Sequence, residues 1–416
     1  MEITITPTKL SGTITPPPSK SQAHRLIMAA ALGAGESVIS NVAFSQDILA
    51  TLTCMEQLGA KWEKLTEDTI RVTGLTGGAP ILGRDGLPHF DCGESGSTLR
   101  FLIPIAIAVA GGGVFTGHGR LMERPQKPYF DLFEEKGIEY ELKDGVLTVR
   151  GKLESGDYSL PGNVSSQFFT GLLYALPMVE GDSTIRATTA LESRSYIDMT
   201  LDALTRCGIT VTEVDGEYPG FRVPGGQMYQ ATDHTVEADW SQAGFYYAAL
   251  GAGNNIEITG MNAYSTQGDM KIVPYYLKLK GEGDVALDVS DCPDLVPPLA
   301  AHAALRGAGN VTYIVNAARL RIKESDRLAS VTAVLSALGA NIEELDDGLV
   351  IHGTDDLKGG VTVEAHNDHR IAMMAAMAAT GCLAPVTVTG AECVRKSYPN
   401  FWEDYEALGG KLEVTP

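Results

Sequence analysis

The chain has no Cys-x-x-Cys pair: Cys54, Cys92, Cys207, Cys292, Cys382 and Cys393 are scattered over 416 residues. That spacing supplies neither a zinc ribbon nor a compact disulfide framework, so the six read as reduced thiols. There is no His-Glu-x-x-His motif, and His366 and His369 stand beside Asp368 and Arg370 without a third ligand, so no metal and no cofactor is expected. Long apolar runs are missing too. The longest, residues 101–110, is too short to span a bilayer and contains Pro104. Residues 1–7, MEITITP, carry no basic or apolar leader, and the expectation is a soluble, cytoplasmic protein. Basic charge is scarce: 32 Lys and Arg face 52 Asp and Glu, for a formal net charge of −20. A protein that wraps nucleic acid is excluded, and any bound anion must be met by a local basic cluster. Gly111-Gly112-Gly113 and Gly251-Ala252-Gly253 follow apolar helices instead of joining strand to helix, so they read as turns and not dinucleotide loops.

What is present is apolar surface, 44% of residues, in a chain too long for one core, so two domains of roughly 200 residues are expected. Repeats organise it. Six imperfect copies share one phrase: a small-residue-rich apolar helix, a short β run, a polar loop, an amphipathic helix ending near glycine, and a hairpin. The second helices stop at Leu58-Gly59, Lys136-Gly137, Cys207-Gly208, Leu338-Gly339 and Leu408-Gly409, with a weaker copy at Lys280-Gly281. Glycine at that place is a left-handed helix stop. Asp144-Gly145 and Asp347-Gly348 read as two-residue hairpin turns. First helices are expected over 23–32, 99–110, 168–176, 243–250, 295–305 and 371–379, apolar nearly all round and therefore buried on every side. The result is an α/β (α+β) fold of two domains, each of three βαβαββ units around a helical core. The Pro/Gly cluster at residues 223–227 marks the division, and the strand at residues 2–6 is placed with the second half. The lobes are then 15–226 and 1–14 plus 227–416.

Polar residues gather just before the first helices: Lys20, Ser21 and Arg25; Glu94, Ser95, Gly96 and Arg100; Ser165, Ser166 and Gln167; Asp294; Asp368 and Arg370. A helix N-terminus offers unpaired N–H groups and a positive dipole end, which suit phosphate or carboxylate. Plain N-capping by Ser and Asp is the other reading, but capping does not require Lys20, Arg100 or Arg370. A second set lies before the second helices: Arg120 and Arg124; Ser193 and Tyr196; Lys323, Glu324 and Arg327; Lys396. Equivalent loops of stacked repeats emerge on one face. For residues 321–327 the competing reading is a solvated charged surface on which Glu324 and Arg327 pair at i,i+3.

Taken together, Pro18-Ser19-Lys20-Ser21 with Arg25, Ser95-Gly96-Ser97 with Arg100, Glu123-Arg124-Pro125, Ser165-Ser166-Gln167, residues 323–328 (KESDRL) and Asp368-His369-Arg370 closely resemble the 5-enolpyruvylshikimate-3-phosphate synthase family, in the right order from Lys9 onward. The resemblance implies an enolpyruvyl transferase-like inverse α/β barrel in each domain, closing over phosphoenolpyruvate and 3-phosphoshikimate, in chorismate and aromatic amino-acid biosynthesis and as a glyphosate target. It implies that Lys20, Ser21 and Arg25 hold the shikimate carboxylate and ring, with Lys20 also near phosphoenolpyruvate. It gives Ser165, Ser166 and Ser193 to the 3-phosphate, Gln167 and Tyr196 to the ring pocket, and Gly96, Arg124, Arg327, Arg370 and Lys396 to phosphoenolpyruvate. Asp294 and Glu324 are the candidate proton-handling pair, with Lys20 and Lys396 able to share that work, and Lys323 is expected to touch the shikimate hydroxyl or phosphate. Glu94 and Arg319 stand where many members carry Asn, and neither is assigned a role. Two alternatives stand beside this reading: a UDP-N-acetylglucosamine enolpyruvyl transferase, whose loop cysteine has no counterpart among residues 120–124, and a non-catalytic anion binder. A monomer is expected.

Overall fold

The computed structural model describes residues 1–75 and 78–415. The chain divides into two compact units, Lys20–Glu237 and Met1–Ser19 with Ala238–Pro416. Each has its own buried apolar core.

The first unit, Lys20–Glu237, carries helices α1 (Lys20–Leu32), α2 (Gln46–Gln57), α3 (Gly96–Ala110), α4 (Lys127–Lys136), α5 (Ser166–Ala175) and α6 (Arg194–Arg206). Its three four-stranded sheets share one plan, in which a parallel pair is extended by an antiparallel hairpin. His89–Asp91 runs parallel to Gly112–Thr116, which pairs with Val146–Arg150 and through it with Glu139–Lys143. The same order recurs from Asp157–Leu160 and from His234–Thr235. The helices α1, α3 and α5 are buried almost throughout, as their all-round apolar composition requires.

Two local features show how tightly they fit. Pro104 inside α3 has no N–H to give the Arg100 carbonyl one turn earlier, and the Tyr129 hydroxyl donates to that carbonyl instead, at 2.8 Å. Gly171 of α5 lies so close to α3 that an added Cβ would meet the Arg100 carbonyl oxygen at 2.5 Å.

The second unit, Met1–Ser19 with Ala238–Pro416, carries α7 (Trp240–Gly251), α8 (Ile272–Leu279), α9 (Val296–Ala304), α10 (Arg327–Leu338), α11 (His369–Ala379) and α12 (Phe401–Ala407). Two of its sheets repeat the four-stranded plan. In one of them the strand Glu2–Thr6 sits between Val386–Thr389 and Lys411–Thr415, both antiparallel to it. The third is only the parallel pair Ser11–Ile14 and Asn255–Ile258. This is the copy whose glycine stop was weak. Gly59, Gly137, Gly208, Gly339 and Gly409 all have positive φ, whereas Gly281 is not among the positive-φ glycines, and no hairpin follows α8.

Two expectations need correction. Five of the six first helices begin two or three residues before the apolar run, so residues read as approach loops form the first helical turn, whereas α9 starts at Val296, just inside its expected range and behind the 3-10 turn Pro293–Leu295. Apolar periodicity cannot detect a polar first turn. The hairpin expected at Asp347-Gly348 turns one residue earlier: Leu345 pairs with Gly348, leaving Asp346-Asp347 as the loop. Gly348 is glycine because a Cβ there would lie 2.0 Å from the Ile314 carbonyl oxygen on the neighbouring strand. At Asp144-Gly145 both residues do have positive φ, as a two-residue turn of that kind demands.

Candidate active site

In the first unit the polar side chains sit at the N-terminal ends of α1, α3, α5 and α6. Lys20 opens α1 and donates to Asp47 of α2 at 2.8 Å. One turn on, the Arg25 guanidinium is 1% exposed and donates to the Thr200 hydroxyl (2.9 Å) and to the carbonyls of Ser21 (2.7 Å) and Tyr196 (2.9 Å). It also lies over the rings of Phe101 and Tyr196. No carboxylate among the described residues touches it, and burial pushes its pKa down to about 10.

Ser95 caps α3 by accepting from the Thr98 N–H at 3.1 Å, which leaves Gly96 as the first helical residue. A Cβ on Gly96 would come within 2.9 Å of Arg124 Nη1 and 3.5 Å of Gln167 Oε1. Gln167, in the first turn of α5, accepts from Arg100 at 2.9 Å and donates to the Ser97 hydroxyl at 3.0 Å. Ser165 caps α5 and Ser166 is buried at its start. Gly96, Arg100, Arg124, Ser165 and Gln167 therefore form one neighbourhood. Ser193 precedes α6 with φ 53° and ψ 40°, a left-handed conformation uncommon for serine, and its side chain makes no capping bond.

The second unit holds a denser charge cluster. Arg327, 1% exposed at the start of α10, meets three carboxylates: Asp368 through Nε (2.7 Å) and Nη2 (3.3 Å), Asp294 through Nη1 (2.7 Å) and Glu324 through Nη2 (2.6 Å). The expected Glu324–Arg327 pair thus exists, but inside the protein and not on a solvated face. Burial lowers the Arg327 pKa, and Asp368, Glu324 and Asp294 together more than reverse that, so it stays charged. Arg370, in the first turn of α11, donates to Asp294 Oδ2 (3.1 Å) and to the Ser241 hydroxyl (2.6 Å). Burial alone would raise the Asp294 carboxyl, yet Arg370, Lys323 and Arg327 outweigh it and hold the group below the usual carboxylate range. Lys323, which keeps some exposed surface, is pushed down to about 8, chiefly by desolvation. Lys396 ends the 3-10 turn Ala391–Lys396 and donates to the Asn367 carbonyl at 2.7 Å. His366 and Asn367 have φ values of 52° and 51°, so two consecutive left-handed residues present that carbonyl. Arg319 donates to the Ser290 carbonyl.

Three polar residues of these clusters were given no role by the sequence reading, although Asp368 stood among the polar residues before the first helices. Asp368 is 0% exposed and does more than cap α11: it also accepts from the Ser325 hydroxyl at 3.0 Å and grips Arg327. Ser241 takes the second position of α7, as Ser21 does in α1 and Ser97 in α3, so aligning the repeats by helix start would have found it. Asp47 lies mid-repeat and no motif marks it. Among the described residues no group of three His, Cys, Asp or Glu side chains is placed to hold a metal ion. No helix among them is long and apolar enough to cross a membrane.

Known proteins resemble this chain along its full length. The family model for EPSP synthase (3-phosphoshikimate 1-carboxyvinyltransferase) matches residues 5–405. A protein of Clostridium beijerinckii named 3-phosphoshikimate 1-carboxyvinyltransferase is 44% identical over 429 residues, covering 98% of each chain. Its namesake from Clostridium acetobutylicum is 45% identical, covering 99% of this chain and 98% of its own. The solved EPSP synthase of Acinetobacter baumannii superposes with a TM-score of 0.80 at 24% identity over 100% of both chains, a likeness of fold. With the family pattern matched from Ile5 to Tyr405, the chain belongs to the EPSP synthase family.

Proposed function

We infer that this chain transfers the enolpyruvyl group of phosphoenolpyruvate to the 5-hydroxyl of 3-phosphoshikimate, giving 5-enolpyruvylshikimate 3-phosphate and phosphate, in the shikimate pathway to aromatic amino acids. The observation that carries this reading, beside family membership, is the placement of Lys and Arg at repeated helix N-termini in a chain with net charge −20. Two small anions with several charges between them are held against their lost hydration by charge-assisted bonds and helix dipoles.

In the proposed assignment the carboxylate of 3-phosphoshikimate goes to Lys20, Ser21 and Arg25, its phosphate to Ser165, Ser166 and Ser193, and its ring to Gln167 and Tyr196. A buried guanidinium with no carboxylate beside it among the described residues supports the assignment of Arg25, because an acidic ligand offsets its desolvation. Phosphoenolpyruvate goes to Gly96, Arg124, Arg327, Arg370 and Lys396. The hydroxyl oxygen bonds to C2 of phosphoenolpyruvate as C3 gains a proton; the adduct then loses that methyl proton while the C2–O bond to phosphate breaks. Glu324, hydrogen-bonded to Arg327, handles the methyl proton, Asp294 the hydroxyl proton, and Lys323 holds the hydroxyl or phosphate. Lys20 and Lys396 serve as accessory proton carriers. The protein acts as a cytoplasmic monomer.

The test is phosphate release from phosphoenolpyruvate with 3-phosphoshikimate or with UDP-N-acetylglucosamine as acceptor. Turnover with the first alone is expected. Turnover with the second, or binding of phosphoenolpyruvate without turnover of either acceptor, overturns the reading.

A further inference from the structure

His24 has no part in the chemistry above, and its surroundings are unusual for a histidine. It is 0% exposed on α1, one turn after Lys20, and its Nε2 has no hydrogen-bond partner. Its Nδ1 lies 2.7 Å from the Thr51 hydroxyl of α2. Thr51 lies 2.7 Å from the Thr98 hydroxyl of α3, and Thr98 donates to Ser95 Oγ at 2.7 Å. The two rungs between α1 and α2 are in register. Lys20 and His24 are four apart on one helix, Asp47 and Thr51 four apart on the other, so Lys20–Asp47 and His24–Thr51 stack along one seam.

The donors in this chain can be assigned by elimination. Thr98 spends its proton on Ser95, so the 2.7 Å Thr51–Thr98 bond takes the Thr51 proton in preference to the Asp47 carbonyl at 3.3 Å, and the Nδ1–H of His24 then donates to Thr51. All three bonds then point one way, from α1 through α2 to the residue that caps α3 immediately before Gly96. The orphaned Nε2 is left as a bare acceptor, the less costly way to bury an unmatched imidazole nitrogen. The ring is neutral: burial, with Lys20 and Arg25 alongside, drives its pKa well below the ordinary value. A polar ring kept in a dry core with one nitrogen unsatisfied costs stability that an apolar residue would not, which calls for a compensating role.

We propose that His24 is a positioning residue: through Thr51 and Thr98 it fixes the Ser95-Gly96 turn of α3 relative to Lys20 of α1. Arg25, next in the chain, ties the opposite flank of α1 to Thr200 of α6, and Thr200 in turn meets Thr170 of α5 at 3.0 Å. Adjacent residues thus anchor the helix on two sides. The inference rests on the function inferred above, in which Gly96 and Lys20 serve phosphoenolpyruvate.

The experiment compares the full-length chain with Thr51→Val, Thr51→Ser, His24→Leu and His24→Asn, measuring KM for phosphoenolpyruvate, kcat and the thermal midpoint. Thr51→Val and His24→Leu are expected to raise KM about fivefold or more with kcat held within about twofold, because the chain orients a binding turn and touches no reacting atom. Thr51→Ser keeps the relaying hydroxyl, and His24→Asn keeps a donor near the Nδ1 position, so both are expected near the unaltered KM. A KM unchanged in Thr51→Val, or raised equally in the Ser and Asn variants, overturns the proposal; a lower thermal midpoint with unchanged KM leaves only a structural role and overturns it too. If His24→Leu does not fold, the Val and Ser pair at Thr51 decides alone. Absence of phosphate release by the unaltered chain would instead bring down the function, and this inference with it.

Discussion

Asp368 is the strongest test of how the charge cluster of the second unit is built. Replacement by alanine removes two bonds to Arg327 (2.7 and 3.3 Å), the Ser325 bond (3.0 Å) and the cap on the Arg370 N–H (3.0 Å). Breaking a buried ion pair by deleting one partner costs about 3–5 kcal/mol, and losing a helix cap about 1. Asp294 and Glu324 still neutralise Arg327, which argues for the low end, so about 3–4 kcal/mol is expected. Asparagine keeps the cap and the shape but loses the charge, and is expected to cost about 1.5–3 kcal/mol. Denaturant unfolding followed by tryptophan fluorescence is the assay, since Trp240 and Trp402 belong to the same unit as Asp368. Replacing Trp62 by phenylalanine removes the only tryptophan of the other unit. An alanine variant that loses less than about 1 kcal/mol, or an asparagine variant nearly as stable as the unaltered chain while alanine is damaged, refutes the claim that the charge of Asp368 matters more than its cap.

Gly96→Ala is expected to raise KM for phosphoenolpyruvate about tenfold or more without unfolding the protein, because its Cβ would lie 2.9 Å from Arg124 Nη1 and the guanidinium must retreat. An unaltered KM places the Gly96–Arg124 contact outside the binding site. Lys323 sets a pH limit: its folded pKa of about 8 lies below the ordinary lysine value of about 10.4, so the unfolded chain binds more protons between them and stability rises with pH across that window. Activity moves the other way, since an ammonium that holds an anion is lost as pH passes about 8 in the free enzyme. Lys323→Arg is expected to abolish that falling limb of kcat/KM whatever activity remains; a limb kept at the same pH assigns it to another group.

The repeat made much of this fold legible. Five left-handed glycine stops and a run of helices apolar on every side fix periodicity and burial without any knowledge of contacts. The helix starts were harder to see, because Lys20-Ser21, Gly96-Ser97, Ser166-Gln167 and His369-Arg370 are polar first turns, the last three of them capped by Ser95, Ser165 and Asp368. The same turns hold most of the residues proposed to bind ligand, so the pattern-based reading failed where polar groups displace apolar periodicity. Asp47 and Thr51 were invisible for a different reason. Their partners Lys20 and His24 are 27 residues away in sequence, and only the packing of α1 on α2 brings them together.

Asp294 raises the sharpest question of mechanism. It is assigned the hydroxyl proton, yet its oxygens accept from Arg327 and Arg370, and a carboxylate held below its usual range is a weak base. It gains basicity when an arginine is drawn away, and in the proposed assignment the group that draws Arg370 is phosphoenolpyruvate, whose phosphate and carboxylate match the guanidinium fork as well as Asp294 does. Substrate and catalytic carboxylate then compete for one cation, and binding of the first prepares the second. Asp294→Asn removes the competitor at nearly constant volume. Phosphoenolpyruvate is expected to bind at least as tightly as before, and up to about tenfold tighter if one charge-assisted bond to Arg370 is released to it. Turnover is expected to fall about 100-fold or more with the loss of the base. Calorimetric titration with phosphoenolpyruvate in the presence of 3-phosphoshikimate gives the first quantity and phosphate release the second. Tenfold weaker binding would refute the competition, because Asp294 would then be orienting the arginines for the substrate instead of yielding them to it.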